Sequence, residues 1–280
     1  MPSRQGFEEL KLQLTKFMIN LEQASGLPIE LGDDYHLKFM LPLKEVVPSI
    51  RTFEEMRPLY QKQDTTAVVN EMYYMYRGIG LPQDQDLIKQ TNVSYDITVI
   101  PACLIGREYN KTLGHYHSTN SKGMVYPEVY EVLYGKALFL IQKMDNSLEN
   151  LISVLAIPAS AGDKVIYPPG YGHAMINVGV DTLVTANWVS RDYGAKYEPI
   201  INRHGMAYYV VSEGTGQYSF IPNPNYANAP GVRILNTNFM KKFPIAGSEP
   251  MYLIGTRHSE SLELLNYPEK YAVELSSITS

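Results

Sequence analysis

The sequence predicts a mainly β protein, a barrel or sandwich of short strands with attachments at both ends. The first sign is a series of runs rich in β-formers between residues 94 and 189, broken by turn residues. Such spacing, with a turn about every 8–12 residues, is that of sandwiches and barrels. The second is the absence of helical periodicity across that span. The third is size: 280 residues, 45% hydrophobic and 19% charged, can bury a sizeable core in one domain with additions. Net charge is −5, which offers no basic face for nucleic acid. One cysteine, Cys103, rules out an internal disulfide framework and reads as a small buried strand residue.

Residues 7–24 predict an amphipathic helix, with Phe7, Leu10, Leu14, Phe17, Met18 and Leu21 at three- and four-residue steps and Gly26 and Pro28 as its stop. Residues 27–48 read as loop and short extended pieces. Thr52 and Glu55 form a capping box for a short helix through Tyr60, with Pro58 in its first turns. Residues 68–76 predict a strand, and the acidic, Gln-rich stretch 83–90 a solvated loop. Barrel strands follow at about 94–101, 107–117, 127–134, 136–142, 150–157, 163–167, 173–178 and 182–189. Trp188 reads as core. Residues 207–213 and 217–221 flank Gly214-Thr215-Gly216 as a hairpin. Residues 227–280 carry mixed short segments.

The chemistry concentrates in two places. In Gly114-His115-Tyr116-His117, an extended backbone puts both imidazoles on one face. Glu128 opens the next strand after a gap of ten residues, and His173 follows the turn Pro168-Pro169-Gly170. Neighbouring strands can bring His115, His117, Glu128 and His173 together. Four N/O ligands suit one first-row divalent ion (iron, nickel, manganese or zinc) and leave an octahedral ion two positions for substrate oxygens.

These residues resemble the cupin superfamily. Gly114-x-His-x-His with Glu128 is similar to its first motif, and Gly162-Asp163 through Pro168-Pro169 to His173 and Asn177 to its second. The closer resemblance is to cupin-type glucose-6-phosphate isomerase, carried by Thr112-x-Gly114-His115-x-His117, Glu128-Val129-Tyr130, Tyr167-Pro168-Pro169 and Asp192-Tyr193-Gly194. It runs from about Ser49 to about Tyr226. It implies a cupin barrel (a double-stranded β-helix, or jelly roll) at 49–226, an N-terminal helical extension at 1–48 and a C-terminal extension at 227–280 that packs on the barrel or a partner subunit.

The resemblance also implies an activity: interconversion of glucose 6-phosphate and fructose 6-phosphate by one divalent metal per subunit, iron first among the candidates. Glu128 and Tyr193 are the expected catalytic residues. Thr98, Thr112, the N–H of Gly114 and Tyr193 match positions that hold the sugar phosphate, and Tyr130 and Tyr167 are expected to line the pocket. Two departures stand out: a longer interval between His117 and Glu128, and Trp188-Val189-Ser190 where a sugar-facing tyrosine is common. A cupin oxygenase and a non-catalytic sugar-phosphate-binding cupin are the alternatives. A homodimer in the cytoplasm is expected, without nucleic acid or membrane partners, since no run approaches the ~20 apolar residues of a membrane span.

Overall fold

The computed structural model describes residues 18–145, 149–214 and 216–279. Ten strands carry the architecture: β1 Ser49–Thr52, β2 Glu71–Tyr76, β3 Val93–Ile100, β4 Tyr116–His117, β5 Glu128–Tyr134, β6 Lys136–Met144, β7 Leu151–Ser160, β8 Lys164–Tyr167, β9 Tyr171–Asn177 and β10 Leu183–Ser190. One sheet has the order β8-β5-β10-β3-β2-β1, and a second β9-β6-β7 with the short strand Arg233–Ile234 at its edge. β4 lies beside β9 through the antiparallel bridge His115–His173. From β3 to β10 every connection crosses between the two layers except the β6–β7 hairpin. That path is the double-stranded β-helix of a cupin.

Alternation along the strands of the first sheet separates two cores. On β3, Tyr95, Ile97 and Val99 face outward into a cluster with Trp188, Val129 and Ile166, while Asp96 and Thr98 face the barrel interior. The interior cluster is built on Phe139, Ile141, Val165 and Met175. The outward cluster is covered by the C-terminal segment, which supplies Met251, Tyr252, Leu262, Leu264 and Leu265. Trp188 is fully buried, as expected; its Nε1 donates to the Met251 carbonyl at 3.1 Å and its ring stacks on Tyr252.

Several expectations change. Of the proposed helix 7–24, residues 7–17 lie outside the described residues. Ile19–Asn20 is instead a strand paired with Glu30 and Leu31, and the helix spans only Glu22–Ser25, because Asn20 Oδ1 accepts from the Glu22 N–H at 2.9 Å and starts it there. The stretch 83–90 is not a loop: Gln85–Gln90 is helical, with Ile88 buried in the outer core and Asp86 in the favourable first turn. The run 107–117 does not form one strand. Only Glu108–Tyr109 and Tyr116–His117 are laddered, and Gly114 breaks the run at φ +83°, a conformation L-residues seldom adopt. Cys103 is only half-buried and lies between strands. The capping box is present in full, Glu55 Oε2 taking the Thr52 N–H at 2.8 Å. The C-terminal region is more ordered than its composition suggests, with helices Met251–Arg257, Glu263–Asn266 and Ala272–Ser276.

Candidate metal centre and cleft

His115 is held opposite His173 by reciprocal backbone hydrogen bonds of 3.1 and 3.0 Å, which bring one motif onto the other. His117 follows on the same face of β4. Glu128 opens β5, where it faces Tyr167 on β8 and Val189 on β10. The ligand-capable atoms of His115, His117, Glu128 and His173 lie within 4.8 Å of one another. Nε2 of His115 is 3.1 Å from Nε2 of His117. Glu128 Oε2 is 3.3 Å from His117 Nε2 and 3.2 Å from His173 Nε2. Ligands at right angles, each about 2.1 Å from one ion, stand roughly 3.0 Å apart. The four side chains are spaced as one coordination shell.

Their chemistry fits a cation. Glu128 Oε2 and His173 Nε2 are buried, close, and without an aligned hydrogen bond. They point at a common centre more than at each other. A buried carboxylate oxygen left so is costly unless a cation meets it. His117 Nδ1 contacts the Tyr126 carbonyl at 2.9 Å, which places its proton there and leaves Nε2 as a lone pair. Burial holds His115 and His173 below the usual imidazole range, so both are neutral ligands at pH 7. Burial alone would push the Glu128 carboxyl up. The close approach of His117 and His173 outweighs it and holds the group well below the usual carboxylate range. Glu128 Oε1 accepts from Asn187 Nδ2 at 2.7 Å, an outer contact that fixes the carboxylate.

The centre opens on a cleft. Thr98, Thr112, Gly114, Tyr130 and Tyr193 line it with His115, His173 and Glu128. Thr112 Oγ1 accepts from the Met175 N–H at 3.0 Å, leaving its own proton to donate. Tyr193 packs on the His117 ring at 4.6 Å. Tyr167 does not line the cleft: it stacks behind His173 with ring centroids 3.9 Å apart, backing the imidazole. Its neighbour Tyr130, at 5.0 Å, does reach the cleft.

Sequence reasoning missed Tyr73, Arg77, Asp96, Asn187 and Tyr197, all on the cleft wall. A signal existed for Asp96: Thr98 was named, and the period of two puts Asp96 on the same face of β3. Asn187 stands directly opposite Asp96 in the β10–β3 register. The long interval after His117 forms a rim loop tied to the C-terminal region, where Asn120 Nδ2 donates to Glu269 Oε2 at 3.0 Å.

A family model described as glucose-6-phosphate isomerase matches residues 50–227. A glucose-6-phosphate isomerase of Thermococcus gammatolerans is 25% identical over 64% of this chain and 87% of its own length. One of Sinorhizobium medicae is 30% identical over 44% of this chain, and the match spans about half (52%) of that relative. Among solved structures, an oxalate decarboxylase of B. subtilis overlaps 52% of this chain and 30% of its own at 13% identity and a TM-score of 0.30.

Proposed function

This chain belongs to the glucose-6-phosphate isomerase family, and from that premise we propose that it interconverts glucose 6-phosphate and fructose 6-phosphate with one divalent metal per chain. The observation that carries the reading is the cluster His115, His117, Glu128 and His173 opening on a cleft lined by Thr98, Thr112 and Tyr193. The four residues would hold the ion, iron first and manganese, nickel or zinc next. When bound it supplies Lewis-acid stabilisation of the charge that grows on the sugar's carbonyl oxygen.

The side chains do the rest. Neutral donors from Thr98, Thr112, the Gly114 N–H and Tyr193 grip the phosphate and set C1 and C2 of the open-chain sugar toward the centre. Two routes move hydrogen between C1 and C2. In one, Glu128 is the base that removes a C–H proton. In the other, hydride passes directly between the carbons while a proton passes from the hydroxyl oxygen on one to the carbonyl oxygen on the other, and Glu128 serves as ligand. The second has more support, because Asn187 holds Glu128 Oε1 and turns Oε2 in among the imidazoles, where it would serve as a ligand. Turnover in deuterium oxide separates them. A hydride shift keeps solvent deuterium out of C1 and C2, whereas incorporation restores Glu128 as base.

The deciding experiment is a coupled isomerase assay on metal-stripped protein with each divalent metal restored. Activity returns with a divalent metal if the reading holds. No turnover of any hexose phosphate with any metal defeats it, and oxygen uptake with ferrous iron then favours the oxygenase alternative. The same reading places the protein in the cytoplasm, in glycolysis or gluconeogenesis, as a homodimer. Light scattering that gives the 31.7 kDa monomer mass at micromolar concentration would overturn the dimer.

A further inference from the structure

Resting on the isomerase reading, we propose that Arg77 is the specificity residue of the cleft, the cation that takes the phosphate of the substrate and so selects phosphorylated over free sugar. Among the described residues that line the cleft it is the single Lys or Arg, against two acids, Glu128 and Asp96. The proposed metal answers Glu128. Nothing else there answers a dianionic phosphate at the far end of a six-carbon chain, since the threonines, the Gly114 N–H and the tyrosines are neutral. Alternation along β2 and just past it puts Tyr73, Met75 and Arg77 on the cleft face. Tyr193, itself among the expected phosphate contacts, lines the same cleft as Arg77.

A structural ion pair would look different. Arg77 Nη1 is 3.5 Å from Asp96 Oδ2, at the limit of a hydrogen bond, and Nη2 is 3.4 Å from the weak acceptor Met75 Sδ. Asp96 is anchored elsewhere, by the Ser94 hydroxyl at 2.6 Å and the Gly78 N–H at 2.8 Å. Its carboxylate is buried, while the Arg77 side chain is 47% exposed. Asp96 therefore orients the guanidinium without a bidentate grip, and Arg77 keeps the planar fork that suits phosphate.

The test uses metal-loaded wild type, Arg77→Met and Arg77→Lys, with thermal unfolding to show that each is folded. Steady-state kinetics on fructose 6-phosphate are paired with calorimetric binding of fructose 6-phosphate and of unphosphorylated fructose. Arg77→Met should raise KM and the Kd for fructose 6-phosphate together, about 10–100-fold, the loss of one or two charge-assisted hydrogen bonds. Its kcat should stay within about threefold, and fructose binding should not move. Arg77→Lys should recover part of the loss, because an ammonium is a point charge without the fork. Unchanged KM and Kd overturn the assignment, and so does a fall in kcat with Kd unchanged, or equal weakening of both sugars. If wild type turns over nothing, the isomerase reading fails, and the calorimetry still decides Arg77: selective loss of fructose 6-phosphate binding in Arg77→Met supports it, and wild type without such binding overturns it.

Discussion

Asn187 shows how much the four-residue cluster owes to a residue outside it. Its amide spans β10 to β5 and fixes Glu128 Oε1 at 2.7 Å, which leaves Oε2 turned to the imidazoles of His117 and His173. Outer partners of this kind are typically worth 10–100-fold in metal affinity. Asn187→Ala should therefore weaken metal binding by about that factor, measured by competition with a chelator, while the fold is kept. Equal affinity in the variant would remove Asn187 from the site. The ligands themselves should be less forgiving. His173→Ala should lose the stoichiometric metal, since its Nε2 is one of the four convergent atoms and, among the described residues, the cluster has no fifth member to replace it. Thr112→Val separates a different role. Its hydroxyl is a ground-state contact in the proposed pocket, so its loss should raise KM and spare kcat. A fall in kcat at constant KM would mean that Thr112 acts in the chemistry.

At the scale of elements, the close packing of the C-terminal helix on the barrel makes a sharp demand. A Cβ built on Gly255 in the helix Met251–Arg257 would lie 2.8 Å from Trp188 Nε1 and 2.9 Å from Cε2. That indole is fully buried and hydrogen-bonded to Met251, so it has nowhere to move. Gly255→Ala should cost about 1–3 kcal/mol, as overpacking does, despite the better helix propensity of alanine. Thermal unfolding at or above the wild-type midpoint would contradict the packing. This contact also marks the limit of what the sequence could show. The convergence of the four cluster residues was legible because H-x-H and P-P-G-x-G-H carry their own periods and turns. The barrel strands were legible for the same reason. The helix Gln85–Gln90 was not: its polar composition masked the single buried Ile88 that fixes it. Nor was the pairing of β5 with the C-terminal segment, because Glu131, Lys164, Gly247 and Met251 are far apart in the chain and meet only in the fold. The break at Gly114 could have been suspected from the glycine, yet the surrounding β-formers argued for continuity.

The described molecule is two cores that share one sheet, and the C-terminal segment supplies much of the outer core. A buried polar network does the docking. Lys164 Nζ pairs with Glu131 at 2.9 Å and donates to the carbonyls of Gly247 at 2.9 Å and Glu249 at 3.0 Å, while Glu131 Oε2 accepts from the Met251 N–H at 2.7 Å. Removing Lys164 would therefore leave the Glu131 charge and two carbonyls stranded, at a cost of about 3–5 kcal/mol. The lone tryptophan reports on this interface, being fully buried between Tyr95 and Tyr252 on the face that the segment covers. If segment and barrel are one cooperative unit, the Trp188 fluorescence shift and the loss of β-sheet circular dichroism should coincide in a denaturant titration. Lys164→Met should then move both midpoints down together. Two separate transitions, with fluorescence changing first, would mean that the segment undocks from a standing barrel. In that case Glu131 and Lys164 would govern only the undocking step, and the rim loop held through Asn120 and Glu269 would loosen with it.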